Sequence, residues 1–128
     1  MMCALEAGSF SLLLKLKVFH SDIQYPNNAA LQLTLQSGDF RGCTSMDIDI
    51  KEFRRFVCGL NGLYETLQGS AAIAEPYGKQ VIQFSTDHSG HIHVSGMICN
   101  GGQSLRFENS FDQTFLKPFV SSLKEMLR

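Results

Sequence analysis

The stretch FSLLLKLKVF, residues 10–19, alternates apolar and polar side chains along most of its length. Successive side chains of a β-strand point to opposite faces of the sheet, so this period of two predicts a strand with one buried face. Ser11, Lys15 and Lys17 fall on the polar face. The apolar face holds Phe10, Leu12, Leu14, Leu16 and Val18. The fold is therefore expected to start from a half-buried sheet.

Two more strands are predicted before the first helix. In residues 31–36, leucine alternates with glutamine and threonine, which indicates a second half-buried strand. The turn at 37–39 then leads to a short return strand over residues 40–46. Another turn is predicted at residues 25–28, which read YPNN.

The pattern then changes to steps of three and four residues, which predicts a helix with one buried stripe. Asp47 or Asp49 is expected to cap its first turn, and Gly69 to end it. Cys58 lies among the buried positions and is predicted to be a packed thiol. The stripe consists of Phe53, Phe56, Val57, Leu60, Leu63, Tyr64 and Leu67.

Four strand-like segments separated by turn residues follow, and they predict an antiparallel meander. They cover residues 71–75, 80–86, 91–99 and 105–108. A second helix is expected from about Lys117, after a tight turn over 112–116 in which Asp112 is the cap. The chain shows no repeat in its sequence.

The order βββ-α-ββββ-α predicts one α+β domain over residues 1–128. We expect a curved antiparallel sheet of about six to seven strands with two helices packed on one face. With 44% hydrophobic residues and ten phenylalanines, the chain can build a core without disulfide or metal.

Composition also narrows the function. Eleven basic residues stand against twelve acidic ones, and this formal net charge of −1 argues against direct binding of nucleic acid. The first residues lack a signal-peptide pattern, and residues 10–19 are too short to span a membrane. The four cysteines form no CxxC pair and are expected to be reduced thiols. These features predict a cytoplasmic protein with no membrane partner.

The one arrangement that suggests metal chemistry is His91 and His93, two residues apart on a predicted strand. Both imidazoles would leave the same face and could begin a zinc or iron site, although the sequence places no third ligand. Ordinary exposed histidines are the alternative. Val94-Ser95-Gly96 lacks the first glycine of a nucleophile elbow. We therefore predict no catalytic residue, no cofactor and no metal site, as in a binding protein.

The polar face of the sheet is the candidate surface for a protein partner, with plain solvent exposure as the alternative. Lys15, Lys17, Gln32, Thr34 and Gln36 are expected to share this face. The candidate partner-binding residues on it are Gln83, Ser85, His91, His93, Ser95, Arg106 and Glu108.

The C-terminal half contains the segments GHIHVSG at 90–96, LRFE at 105–108 and DQTFL at 112–116, before a final amphipathic helix. In these motifs it resembles the WapI-type immunity proteins. Residues 53–73 resemble the helix-then-strand segment of the family, so the likeness runs from about Phe10 to the end. The signature positions, which also suit a structural role, are Gly90, Ile92, Asp112, Gln113 and Thr114.

This resemblance implies a small bacterial cytoplasmic protein that protects the producing cell from a toxin. Its partner would be the cognate C-terminal domain of a large secreted bacterial protein, bound stoichiometrically and without turnover. Two alternatives stay open from the residues. One is a non-catalytic scaffold acting as a homodimer through sheet edges or the polar face. The other is a metal-dependent enzyme that uses His91 and His93.

Overall fold

The computed structural model describes residues 2–19, 28–87 and 89–128. Four strands and a helix are followed by four strands and a second helix. The first half contains β1 (Met2–Ala7), β2 (Phe10–Val18), β3 (Ala29–Ser37), β4 (Phe40–Ile48) and α1 (Ile50–Thr66). The second half contains β5 (Ser70–Ala74), β6 (Val81–Thr86), β7 (His91–Asn100), β8 (Gln103–Asp112), a 3₁₀ turn (Gln113–Phe115) and α2 (Leu116–Met126).

The α+β class is confirmed, but the single curved sheet was wrong. The described strands form two four-stranded antiparallel sheets, with orders β1-β2-β3-β4 and β5-β6-β7-β8. We call them the first and the second sheet. Each is a meander followed by a helix, so the topology repeats although the sequence does not.

Strand β1 was missed by the sequence prediction. Its residues, MCALEA, include alanine and glutamate, which are weak strand formers, and apolar residues occupy both of its faces. The strand nevertheless buries Cys3, Leu5 and Ala7 on alternate positions. Burial raises the pKa of the Cys3 thiol to about 11, which keeps it protonated and unreactive. Cys58 of α1 is exposed, so its prediction as a packed thiol was wrong.

Both predicted helix caps are confirmed. The Asp49 carboxylate accepts from the Lys51 N–H at 2.7 Å, and the Asp112 carboxylate accepts from the Thr114 N–H at 2.9 Å. Helix α1 ends at Thr66, and its C-cap is Leu67, two residues before the expected Gly69, in the left-handed conformation at φ 55°. The turn predicted at 25–28 falls almost wholly outside the described residues.

Each helix packs against the sheet of the other half of the chain. Helix α1 follows the first sheet but contacts β5 and β6 of the second. A Cβ on Gly59 of α1 would lie 3.0 Å from the Cβ of Ala71, so glycine permits this close approach. Helix α2 follows the second sheet but contacts β1 of the first. Neither half can therefore bury its apolar face alone.

Aromatic side chains connect the parts of the core. Phe84 of β6 lies 6.0 Å from Phe56 of α1 and 6.4 Å from Phe119 of α2, measured between ring centroids. Phe10 of the first sheet stacks on Phe107 and Phe111 of the second, at 5.9 and 6.5 Å. The buried residues of both sheets consequently form one cluster.

Gln80 links the two sheets through its buried amide. Its side chain is 6% exposed, and no other polar residue in the described parts of the chain is as fully buried. The Gln80 Nε2 donates to the Ser45 carbonyl of β4 at 3.0 Å, and its Oε1 accepts from the Cys99 N–H of β7 at 3.0 Å. One side chain thus satisfies a backbone group in each sheet.

The free edge of β4 is covered at the same junction. Asn100 Nδ2 donates to the Cys43 carbonyl at 2.8 Å, and Thr44 Oγ1 donates to the Cys99 carbonyl at 2.7 Å. A Cβ on Gly42 would lie 2.7 Å from Ile98 Cδ1, so the second sheet also packs closely here. Carbonyls that are already bonded cannot receive another strand, and the β4 edge is therefore protected.

We expect Gln80→Leu to lower the free energy of unfolding by about 1–3 kcal/mol, because a part-buried carbonyl and a part-buried N–H each lose their partner. Urea denaturation of the purified protein measures this. The matched control is Gln83→Leu on the exposed face of β6, which should change stability by less than about 0.5 kcal/mol. Equal effects of the two substitutions would contradict the role assigned to Gln80.

Candidate protein-binding face

The seven predicted partner-binding residues lie together on the outward face of the second sheet. Strand register places Gln83, Ser95 and Glu108 in one row across β6, β7 and β8. Ser85 and His93 form the next row. His91 and Arg106 occupy the same side of β7 and β8, opposite to the buried positions of these strands. We call this surface the outer face of the second sheet.

The polar residues predicted from the first strands do not join this surface. Lys15 and Gln32 pair across β2 and β3, on the outward face of the first sheet. The alternation predicted the correct side for each residue but could not show that the two groups belong to different sheets.

A shallow depression of about 560 Å³ lies in the outer face of the second sheet. Polar ends of Ser95, Arg106 and Glu108 line it together with the apolar side chains of Val81 and Met97. Gly96 also lines it, and a Cβ there would come within 2.0 Å of the Val81 carbonyl oxygen. The depression thus combines charged groups with an apolar surface, as a protein interface requires.

Sequence reasoning missed two apolar members of this surface and the loop before β6. Val81 and Met97 are apolar residues at outward positions, a departure from alternation that the parity of β6 and β7 could have revealed. Lys79, in the loop between β5 and β6, lines the depression. The same loop contains Tyr77, which is 87% exposed. Tyrosine is enriched at the energetic centres of protein interfaces.

Asp87 organises the turn that leads into β7. Its Oδ1 accepts from the Ser89 hydroxyl and the Ser89 N–H, both at 2.8 Å, and from the His91 N–H at 3.1 Å. Its Oδ2 lies 3.3 Å from His93 Nε2. These hydrogen bonds hold the pKa of Asp87 well below its ordinary value. The one from the Ser89 hydroxyl contributes most, and the backbone N–H groups of Ser89 and His91 add to it.

This group of residues is a turn and not a hydrolytic triad. In a triad the carboxylate orients the histidine, and the histidine takes the proton of the serine. Here the Ser89 hydroxyl lies between Asp87 at 2.8 Å and His91 Nδ1 at 2.9 Å, so the carboxylate contacts the serine directly.

The two histidines have an explanation that needs no metal. Both imidazoles approach the same carboxylate oxygen of Asp87, at 3.8 Å for His91 and 3.3 Å for His93. Within residues 2–19, 28–87 and 89–128, no group of three or more His, Cys, Asp or Glu side chains could hold a metal ion. In the same ranges, no helix is both long and apolar enough to cross a membrane.

We expect Asp87→Asn to destabilise the protein most at pH 6 and less at pH 3. Because the folded pKa is depressed, ionised Asp87 contributes its full stabilisation above the unfolded pKa of about 3.9. That contribution is lost as the pH falls from there towards the folded pKa. Urea denaturation at the two pH values measures the difference. Asp39→Asn, in the β3–β4 turn, is the control for the change of charge, and an equal pH response in both variants would contradict this assignment.

Solved structures with a similar fold come from other kinds of protein. The Trypanosoma bruciei MRP1/MRP2 structure aligns with 94% of this chain and 75% of its own, at 12% identity and a TM-score of 0.53. WHY3 from Arabidopsis thaliana aligns with 99% of this chain and 86% of its own, at 12% identity and a TM-score of 0.54. The plant transcriptional regulator PBF-2 aligns over 99% and 87%, at 11% identity and a TM-score of 0.50. At such identities the likeness establishes the fold alone.

No curated protein is significantly similar in sequence to this chain. The family comparison is decisive, and it confirms the resemblance noted in the sequence. The model of the Immunity protein WapI-like family matches residues 10–128, nearly the whole chain, and the protein therefore belongs to that family.

Proposed function

We propose that this protein neutralises a cognate bacterial toxin domain by stoichiometric binding in the cytoplasm of the producing cell. The observation that carries the proposal is the family match over residues 10–128. An inhibitor of this kind acts by occupying its target and needs a stable complementary surface, without catalytic turnover. The toxin would be the C-terminal domain of a large secreted bacterial protein.

We assign the toxin contact to the outer face of the second sheet. Its centre, the row Gln83–Ser95–Glu108, is rigid because three adjacent strands hold it. The apolar Val81 and Met97 at the depression can lose contact with water, while Arg106 and Glu108 supply directional polar contacts. The apolar pair thus lies directly beside the polar central row, and specific protein interfaces commonly combine apolar and polar groups in this way.

Lys79 lines the depression, and Tyr77 lies in the same loop, so we include this loop in the proposed surface. An exposed tyrosine offers a large contact area and loses little side-chain entropy when it is bound. Its exposure of 87% means that the ring has few contacts within the monomer, so most of its area is available to a partner.

The net charge favours recognition of a folded protein. It argues against nucleic-acid binding and against inhibition by imitating a polyanion. The formal net charge of −1 provides neither the basic stripe of a nucleic-acid binder nor the acidic surface that imitates a polyanion. The likeness to a plant transcriptional regulator is a likeness of fold. We therefore propose shape and mixed polar contacts as the basis of toxin recognition.

The direct test is to express this protein with the C-terminal domain of the large secreted protein encoded next to its gene. We expect growth rescue of cells that express the toxin domain and a 1:1 complex in isothermal titration calorimetry. A neighbouring toxin domain that is neither bound nor neutralised would refute the proposed function.

The face is tested by Gln83→Trp, which places a bulky side chain in the middle of the outer face of the second sheet. We expect binding to weaken at least about tenfold, because the ring prevents close approach of the toxin. The matched control is Gln32→Trp, since Gln32 is also an exposed glutamine on an inner strand, but of the first sheet. Weaker binding by the control alone would move the contact to the first sheet and refute this assignment.

A further inference from the structure

Strand β8 has a long edge that no other described strand pairs with. It runs for ten residues and contacts β7 along one side only. The remaining sheet edges differ from it. Gln80 and Asn100 bind two carbonyls of β4, while β1 and β5 are short, with six and five residues. An edge of this length without proline is a template for another strand.

The hairpin between β7 and β8 determines which backbone groups point outward. Gly101 and Gly102, both with positive φ, form a two-residue turn that closes on the hydrogen-bonded pair Asn100 and Gln103. The pairing continues one to one to His91 and Asp112, without a bulge. Every second residue of β8 from Gln103 onward therefore bonds to β7, and the intervening residues direct their N–H and C=O groups to the free edge. These are Ser104, Arg106, Glu108 and Ser110.

Arg106 and Glu108 make this edge complementary to itself. Both are exposed on the outward face, and neither takes part in an ion pair within the described residues. Two antiparallel copies of β8 related by a twofold axis at Phe107 bring Arg106 of each copy directly opposite Glu108 of the other. Opposite charges facing each other across strands are stabilising, and like charges are destabilising.

The neighbouring registers are disfavoured by the same charges. In an antiparallel pair of β8 strands, the residues whose N–H and C=O groups point to the free edge must lie opposite each other. A change of register therefore moves the twofold axis by a whole residue. An axis at residue 106 places Arg106 opposite its own copy, and an axis at 108 does the same for Glu108. Only the axis at Phe107 pairs both charges favourably, and it also sets Ser104 opposite Ser110.

We propose that the occupant of this edge is a second copy of the chain, joined through antiparallel β8 strands with the twofold axis at Phe107. The two second sheets become one eight-stranded sheet, and their outer faces lie side by side. This inference goes beyond the proposed toxin binding, because it concerns the protein alone and is tested without a toxin.

Sedimentation equilibrium of the full chain is the test. We expect the wild type to have twice the 14.2 kDa mass of one chain at micromolar concentration. Arg106→Glu and Glu108→Arg each replace two attractive pairs by two repulsive ones, and each should raise the dimer dissociation constant at least about tenfold. Both positions are exposed, so circular dichroism should show a fold unchanged from wild type.

Two rescue experiments distinguish this register from a nonspecific effect of charge. The double variant R106E/E108R restores both opposite-charge pairs and should dimerise like the wild type. A mixture of the two single variants should form a 1:1 heterodimer, because an all-acidic edge then faces an all-basic one. A wild type that stays monomeric, single variants that dimerise unchanged, or a failure of both rescues would overturn the proposal.

Discussion

The two sheets of this protein are joined where β4 meets the end of β7, and the buried amide of Gln80 closes that junction. Gln80 bonds to a carbonyl of one sheet and an N–H of the other. Both bonds are part-buried, and loss of either leaves a backbone group without its partner, so they favour the relative position of the sheets that satisfies both groups. This position brings the inner faces together around Phe10, Phe107 and Phe111. It also covers the β4 edge and leaves both outward faces free.

The exchange of helices between the halves makes this arrangement cooperative. Because α1 covers strands of the second sheet and α2 covers β1 of the first, removal of either helix exposes apolar surface in the other half. Phe84 packs against Phe56 of α1 and Phe119 of α2, so both helices meet at one aromatic cluster. The strands that carry the outer face of the second sheet therefore depend for their packing on elements from both halves of the chain.

Local patterns predicted the elements of this fold well and their assembly poorly. The alternation in β2 and β3, the helical stripe of α1 and the caps Asp49 and Asp112 all depend on neighbours in sequence, and all were predictable. Periodicity shows which side of a strand is buried but not which surface covers it, so one sheet was predicted where two exist. Cys58 directly follows the buried Val57 in α1, and the rotation of the helix by one residue places its side chain on the exposed side. The buried amide of Gln80 could not be predicted, because its partners are 35 and 19 residues away.

The predicted signature residues and those proposed to bind the toxin have different physical roles. Asp112 caps the 3₁₀ turn before α2, Ile92 is fully buried in the core, and Gly90 has a φ of 85° that favours glycine. Changes at these positions alter the fold. An outward side chain such as Gln83 faces only its lateral neighbours Ala72 and Ser95, so it can be replaced with little effect on the core. A scaffold of this kind can therefore change the side chains of its outward face with little loss of stability, as the proposed recognition of a toxin domain through that face requires.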